Sequence, residues 1–179
     1  DRRHEMLVSV KDQQMLLVRD GEPVKTYRVS TSKFGLGSEP GSYRTPLGKM
    51  RVAKKIGDWA PAGAVFKSRV RTGEVLRPNA PGRDPIVSRI LWLEGRERHN
   101  RNTMRRMIYI HGTPQEKELG KPVSYGCIRM DMNEVIDLYD RVGYGARVQI
   151  IRGPLRETTP GRAYAARQKL RREVSWMSP

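Results

Sequence analysis

Ser124-Tyr125-Gly126-Cys127-Ile128-Arg129 holds the only cysteine of the chain, and His111-Gly112 ends the apolar run Met107 to Ile110 upstream of it. A thiol set between a glycine and a short segment leading into a helix is a candidate nucleophile. A histidine at the tip of a buried strand is a candidate base for it. Only the thiolate attacks, and a free thiol with a pKa of about 8.5 is mostly protonated at neutral pH. An imidazole within hydrogen-bond reach takes that proton. The cation Arg129, and the positive end of a helix beginning near Asp131, favour the anion further. Gly126 reaches backbone conformations closed to other residues, so N–H groups around Gly126 and Cys127 can point at a developing oxyanion. Loss of one such donor typically costs about 3 to 4 kcal/mol of transition-state stabilisation. The imidazole also needs an orienter. No acidic residue adjoins His111 in the sequence, which leaves the Gly112 carbonyl as the candidate acceptor for its Nδ1 proton.

Each of these residues has a plainer explanation. A lone cysteine is most often a small buried hydrophobe, and a strand-end histidine is most often merely hydrogen-bonded. A metal would draw on His4, His99, His111 and Cys127. No pair of them has the short spacing of structural zinc sites, so neither metal nor cofactor is expected.

The elements that must position the pair read as mostly β with minor α. Met6 to Val10, Met15 to Val18 and Val24 to Ser30 form an expected three-stranded meander with turns at Lys11-Asp12-Gln13 and Asp20-Gly21-Glu22-Pro23. Phe34 to Gly48 is a long structured loop. Strands are expected over Met50 to Ile56, Ile86 to Leu93, Met107 to His111 and Arg147 to Ile151. Gly57 to Pro85, rich in Pro and Gly, is too long for an idle connection and reads as an insertion near a functional face, a lid candidate. Asp131 to Val142 is the clearest helix, with Met132, Val135, Ile136, Tyr139 and Val142 on one face, an Asp131/Glu134 capping pair and Gly143 as the stop. In the tail, residues 153–179, Ala163, Ala166, Leu170, Val174 and Met177 make a helical stripe among arginines. It reads first as a helix docking on the domain, and second as a basic arm for an anionic wall polymer or membrane surface.

With 179 residues, 37% of them hydrophobic and 30% charged, the chain is sized for one globular domain with a real core. No run approaches the roughly 18 to 20 apolar residues of a membrane span. The chain begins at Asp1, as a processed or trimmed product does, so any export signal would lie upstream. The formal charge of +16 attracts polyanions without saying which. The basic residues are scattered and aromatics make up only 7%, so no specific nucleic-acid signature is present. One cysteine allows no internal disulfide and leaves both cytosol and cell envelope open.

The two motifs resemble the bacterial L,D-transpeptidase catalytic domain, the YkuD family. His111-Gly112-Thr113 matches its histidine segment, and Ser124, Gly126, Cys127, Ile128 and Arg129 match its Ser/Thr-His-Gly-Cys signature. Val29-Ser30-Thr31-Ser32, Thr45-Pro46-Leu47-Gly48 and the strand Val148 to Ile151 resemble further family segments. One position departs: Tyr125 stands where the family usually has His. A tyrosine stays neutral at neutral pH and cannot replace a titrating imidazole, so Tyr125 is read as a pocket residue that adjusts substrate choice. The resemblance implies a β-sandwich-like catalytic domain over residues 5–152, one helix after the cysteine, and an exported enzyme of the bacterial periplasm or envelope. Cys127 would attack peptidoglycan stem peptides at the L-centre of diaminopimelate and release D-alanine. It would then pass the acyl group to an acceptor amine. Carbapenems would be covalent inhibitors. Arg129 would pair with a substrate carboxylate, and Ser124 would support the loop or contact substrate. Two other classes stay open: an L,D-carboxypeptidase or amidase using the same Cys/His site, and a non-enzymatic polyanion-binding module. Oligomeric state is unread.

Overall fold

The structure is a computed structural model that describes residues 1–178. Ten strands dominate it: β1 His4–Ser9, β2 Gln14–Arg19, β3 Glu22–Ser30, β4 Gly48–Ile56, β5 Ala64–Lys67, β6 Val70–Val75, β7 Ile86–Gly95, β8 Tyr109–Thr113, β9 Ile128–Asp131 and β10 Arg147–Ile151. Two α-helices, α1 Glu134–Arg141 and α2 Thr159–Met177, complete the main elements. The opening meander is present, with β1–β2 and β2–β3 both antiparallel.

The strands run in the order β4-β10-β1-β2-β3-β9-β8-β7-β5-β6, and β4 also pairs with β7. The mostly β architecture is the one expected. The two layers of the expected sandwich are joined through β4, so the sheet closes on itself in a barrel-like way. Strand alternation sends one face of the barrel strands, β5 and β6 excepted, into a single core that includes Met6, Val8, Met15, Leu17, Tyr27, Val29, Leu91, Ile110, Ile128 and Met130. Helix α1 adds Val135, Leu138 and Tyr139 to that core.

Three expectations shift. The strand expected from Met107 starts at Tyr109, because Met107 has φ +56° and ends a turn. The helix expected from Asp131 starts at Glu134, because Asp131 is the last residue of β9. Asp131 still caps it from outside, accepting from the N–H groups of Asn133 at 2.8 Å and Glu134 at 3.0 Å. In α2 the predicted stripe faces the wrong way: Leu170, Val174 and Met177 are exposed. Docking is by Gly161 and by Tyr164, which packs on Leu7, Leu16, Val18 and Leu155. Arg167 pins the next turn by donating to Pro23 O at 2.9 Å.

The segment from Gly57 to Pro85 is structured. Its core is the β5–β6 hairpin, and β5 pairs with β7. Ala60, Ala64 and Phe66 pack with Ile90 and Tyr109 in a second cluster on the face of β7 and β8 opposite the main core, and Cys127 packs against it.

Candidate active site

Parallel strands β8 and β9 bring the two motifs together. Ile110 lies opposite Ile128 and His111 opposite Arg129. Because side chains alternate along a strand, Ile110 and Ile128 enter the main core while Tyr109, His111, Cys127 and Arg129 share the other face. Cys127 immediately precedes β9 and sits beside Tyr109. Its Sγ accepts from Tyr109 N–H at 3.3 Å and donates to Met107 O at 3.4 Å. His111 is buried, and its Nδ1 lies 2.7 Å from Gly112 O. A carbonyl only accepts, so Nδ1 carries the proton and Nε2 keeps a bare lone pair. Among the described residues, Sγ makes no hydrogen bond with the ring in this resting arrangement.

Burial sets both groups in their neutral forms. It pulls the His111 imidazole down to about 4, with the neighbouring Arg129 charge adding to the effect against the Gly112 bond. It pushes the Cys127 thiol up to about 11, opposed by the Tyr109 N–H and by the charges of Arg129 and Arg106. The resting pair is therefore thiol and imidazole. Moving the proton from sulfur to ring before substrate arrives is strongly uphill, because burial opposes both charged forms. Alkylation of the free protein by iodoacetamide should accordingly be slow at pH 7 and climb steadily toward pH 11. A plateau reached below pH 8 would mean a preformed thiolate.

The expected helix contribution to that thiolate is absent. The four residues of β9, then Met132 and Asn133, separate Cys127 from α1; β9 alone covers roughly 13 Å at strand rise, whereas the dipole effect fades within the first turn.

The loop carrying the sulfur is clamped from two sides. Ser124, fully buried, donates from Oγ to Cys127 O at 2.6 Å and accepts from Gly126 N–H at 3.2 Å. The second of these bonds engages the Gly126 N–H that the sequence assigned to an oxyanion. Thr45, also fully buried, donates to Gly126 O at 2.9 Å and accepts from Ser32 N–H at 3.0 Å. Gly126 has φ +123°, with Arg44 O only 3.3 Å from where a Cβ would be, so this position requires glycine. Tyr125 is exposed at the mouth, in an aromatic trio with Phe34 and Tyr43. Lys33 donates to its hydroxyl at 3.1 Å.

Arg129 is buried and paired with Asp84 at 2.6 Å, and Thr113 donates to the other Asp84 oxygen at 2.7 Å. The end of the 57–85 segment is thus fastened to β8 and β9 beside the histidine. At the hairpin tip, Arg69 donates to Tyr109 Oη at 3.1 Å and covers the Trp92 ring at 4.8 Å. The outlying histidines take no part: His4 meets Asp1 and His99 meets Glu97.

Residues 3–150 match the family model described as the L,D-transpeptidase catalytic domain. The chain belongs to the L,D-transpeptidase family. Among relatives, it is 43% identical over 138 residues to the protein named "Probable L,D-transpeptidase ErfK/SrfK" of Salmonella typhimurium, a match covering 75% of this chain and 41% of that protein. An L,D-transpeptidase structure from Mycobacterium smegmatis superposes with TM-score 0.55 at 18% identity, over 83% of this chain and 58% of that one. L,D-transpeptidase 3 from Mycobacterium tuberculosis, solved with a faropenem-derived adduct, gives TM-score 0.54 at 18% identity, over 83% and 60%. These two likenesses establish the fold. The chain spans less than two thirds of the length of these relatives. Among the described residues, no helix is long and apolar enough to cross a membrane.

Within this L,D-transpeptidase domain, Gly112 has a packing reason to be glycine. A Cβ there would stand 2.5 Å from Val87 O on β7. Gly112→Ala is expected to push β8 off β7 and destabilise the fold by on the order of 2 kcal/mol or more, in the range of overpacked cores. Thermal or urea unfolding measures it. Motif reading passed over Thr45 as a site residue, although the Thr-Pro-x-Gly turn containing it was recognisable. It also passed over Asp84, for which no local signal exists.

Proposed function

We propose that the chain is a peptidoglycan L,D-transpeptidase domain acting through Cys127 and His111. What carries the proposal is the shared face of β8 and β9: sulfur and ring stand on neighbouring strands, and the Gly112 bond leaves Nε2 unprotonated. Substrate binding turns Sγ away from Met107 O. His111 Nε2 takes the thiol proton as sulfur attacks the carbonyl at the L-centre of diaminopimelate in a tetrapeptide stem. Cys127 N–H is the assigned oxyanion donor; Gly126 N–H joins by exchanging Ser124 Oγ. Collapse breaks the amide, the D-alanine nitrogen takes the proton from His111, and a thioester remains. An acceptor amine then attacks the thioester, gives its proton through His111 to the departing sulfur, and leaves as a new amide. With water as acceptor the same site is an L,D-carboxypeptidase.

Arg129 is the assigned partner of a donor carboxylate, which must displace Asp84 to reach it. Tyr125 lines the entry. Residues 5–152 are the catalytic unit, and the basic tail that follows them carries α2 as an appendage. The stem-peptide substrate places the enzyme in a bacterial envelope.

Incubation with disaccharide tetrapeptides, followed by mass spectrometry, tests the reading. Release of D-alanine with new cross-links between third-position residues is expected, together with a carbapenem adduct on Cys127. Cys127→Ala should show none of these. A folded protein with a free thiol that forms no adduct and releases no D-alanine overturns it.

A further inference from the structure

An open cleft of about 650 Å³ flanks the N-terminal ends of β8 and β9, lined in part by Tyr43, Arg98, Arg101, Arg105, Arg106 and Tyr125. Cys127 itself is not on its lining, but two neighbours of Cys127 are. Met107, which lines it, offers the carbonyl that Sγ meets, and Tyr125 lies two residues before Cys127. Among the described residues, none of its four arginines forms an ion pair. Arg98, Arg101 and Arg105 are exposed. Arg106 is held in place by neutral acceptors alone: Gly37 O at 3.1 Å, Arg44 O at 2.7 Å and Ser42 Oγ at 3.3 Å. Asn102, also on the lining, donates to Ser38 O at 2.7 Å while its Oδ1 is buried without a partner.

We infer that this cleft is the acceptor subsite, and that it selects an amine carried on a molecule bearing two or more carboxylates; the inference rests on the transpeptidase reading above. Four like charges in one concavity repel each other, and carboxylates relieve that repulsion. The same field repels a bare ammonium. An amine anchored by its own carboxylates is held there despite that, and the surrounding cations lower its pKa, raising the neutral fraction that can attack. The unpartnered Asn102 Oδ1 is an acceptor for an N–H of the same ligand after a small side-chain shift. The cleft and the Arg129–Asp84 pair lie at opposite ends of the shared strand face, so donor and acceptor approach the sulfur from different sides.

The test uses the double variant Arg101→Gln/Arg105→Gln, whose replaced side chains make no hydrogen bond in the fold. Carbapenem acylation and D-alanine release into water should stay within twofold of wild type. The KM for a stem-peptide acceptor should rise roughly three- to thirty-fold, the effect of two exposed charge pairs. An acceptor with its carboxylates amidated should not distinguish the two proteins. Binding of a tripeptide stem to the Cys127→Ala protein, with and without the two arginines, gives a readout independent of turnover. Equal binding with and without the arginines overturns the inference, and so does an equal loss in both half-reactions. Polyphosphate that binds the cleft more tightly than the stem assigns it to a phosphate polymer and likewise overturns it. If the wild type is never acylated, the proposed function fails, while the binding arm still decides the cleft.

Discussion

His111→Ala is expected to slow acylation of Cys127 by roughly 10² to 10⁴ at pH 7, the usual contribution of a positioned base. The pH dependence carries more information than the size. In the wild type the base is neutral and the thiol protonated across a wide range, because burial holds the ring near 4 and the sulfur near 11. The rate should stay nearly flat between those limits, falling as the ring protonates near pH 4. That acid limb lies below the ordinary histidine range, since the buried ring takes up its proton later than a free one. Without the ring, the reaction runs on thiolate alone. At pH 7 a thiol of pKa about 11 is ionised to roughly one part in 10⁴, and that part grows about tenfold per pH unit. The variant should therefore show a slope near one where the wild type shows a plateau, and the two rates should converge toward pH 11. His111→Gln, closer in bulk, separates base chemistry from lost packing: it should follow the alanine variant in slope and the wild type in melting temperature. Parallel profiles for wild type and both variants would falsify the assignment of His111 as base.

The sequence carried the pair but not its resting state. Cys127 and His111 were legible because each lies in a short motif whose residue types suit the chemistry, and the Gly112 carbonyl was legible as an acceptor within reach. That Sγ rests on Met107 O follows from the turn at Met107 and from the pairing of β8 with β9, both products of the fold. The strands of the meander were readable from alternation, because one face of each enters the core. The closure through β4 was not, since pairing partners distant in the chain leave no local mark. Helix α1 shows the limit of periodicity. Val135, Leu138, Tyr139 and Val142 are buried, whereas Ile136, placed on the same face from the sequence, is half-buried. Met132, also on the expected face, is buried too, so the face was read correctly but for Ile136 and the missed Leu138; the helix start was not, since only the pairing of β9 reveals that Asp131 belongs to a strand. In α2 the aliphatic stripe was real as a pattern, but Gly161, Tyr164 and the Arg167 bond to Pro23 fix the opposite rotation.

Arg129 tests how far a motif residue can be read without its partner. Its resemblance-based role is to hold a substrate carboxylate, yet its guanidinium already meets Asp84, with both side chains largely buried. Arg129→Met should destabilise the domain by about 3 kcal/mol, at the low end for breaking a buried pair because Asp84 keeps some exposure. The loss arises mainly from the carboxylate left behind, which retains only the Thr113 hydroxyl. Adding Asp84→Asn to that variant removes the stranded charge and should restore most of the stability, as measured by urea unfolding in a double-mutant cycle. Activity should not return with it. Arg129 faces His111 across the strand pair and helps lower the sulfur's pKa, so the doubly neutral protein lacks both the cation and the proposed carboxylate partner. Asp84→Asn alone gives the converse result: some stability is lost, while the freed guanidinium lowers the KM for a donor stem with a free carboxylate and leaves that for an amidated donor unchanged. A donor KM that ignores Asp84→Asn would confine Arg129 to fastening the 57–85 segment over the site.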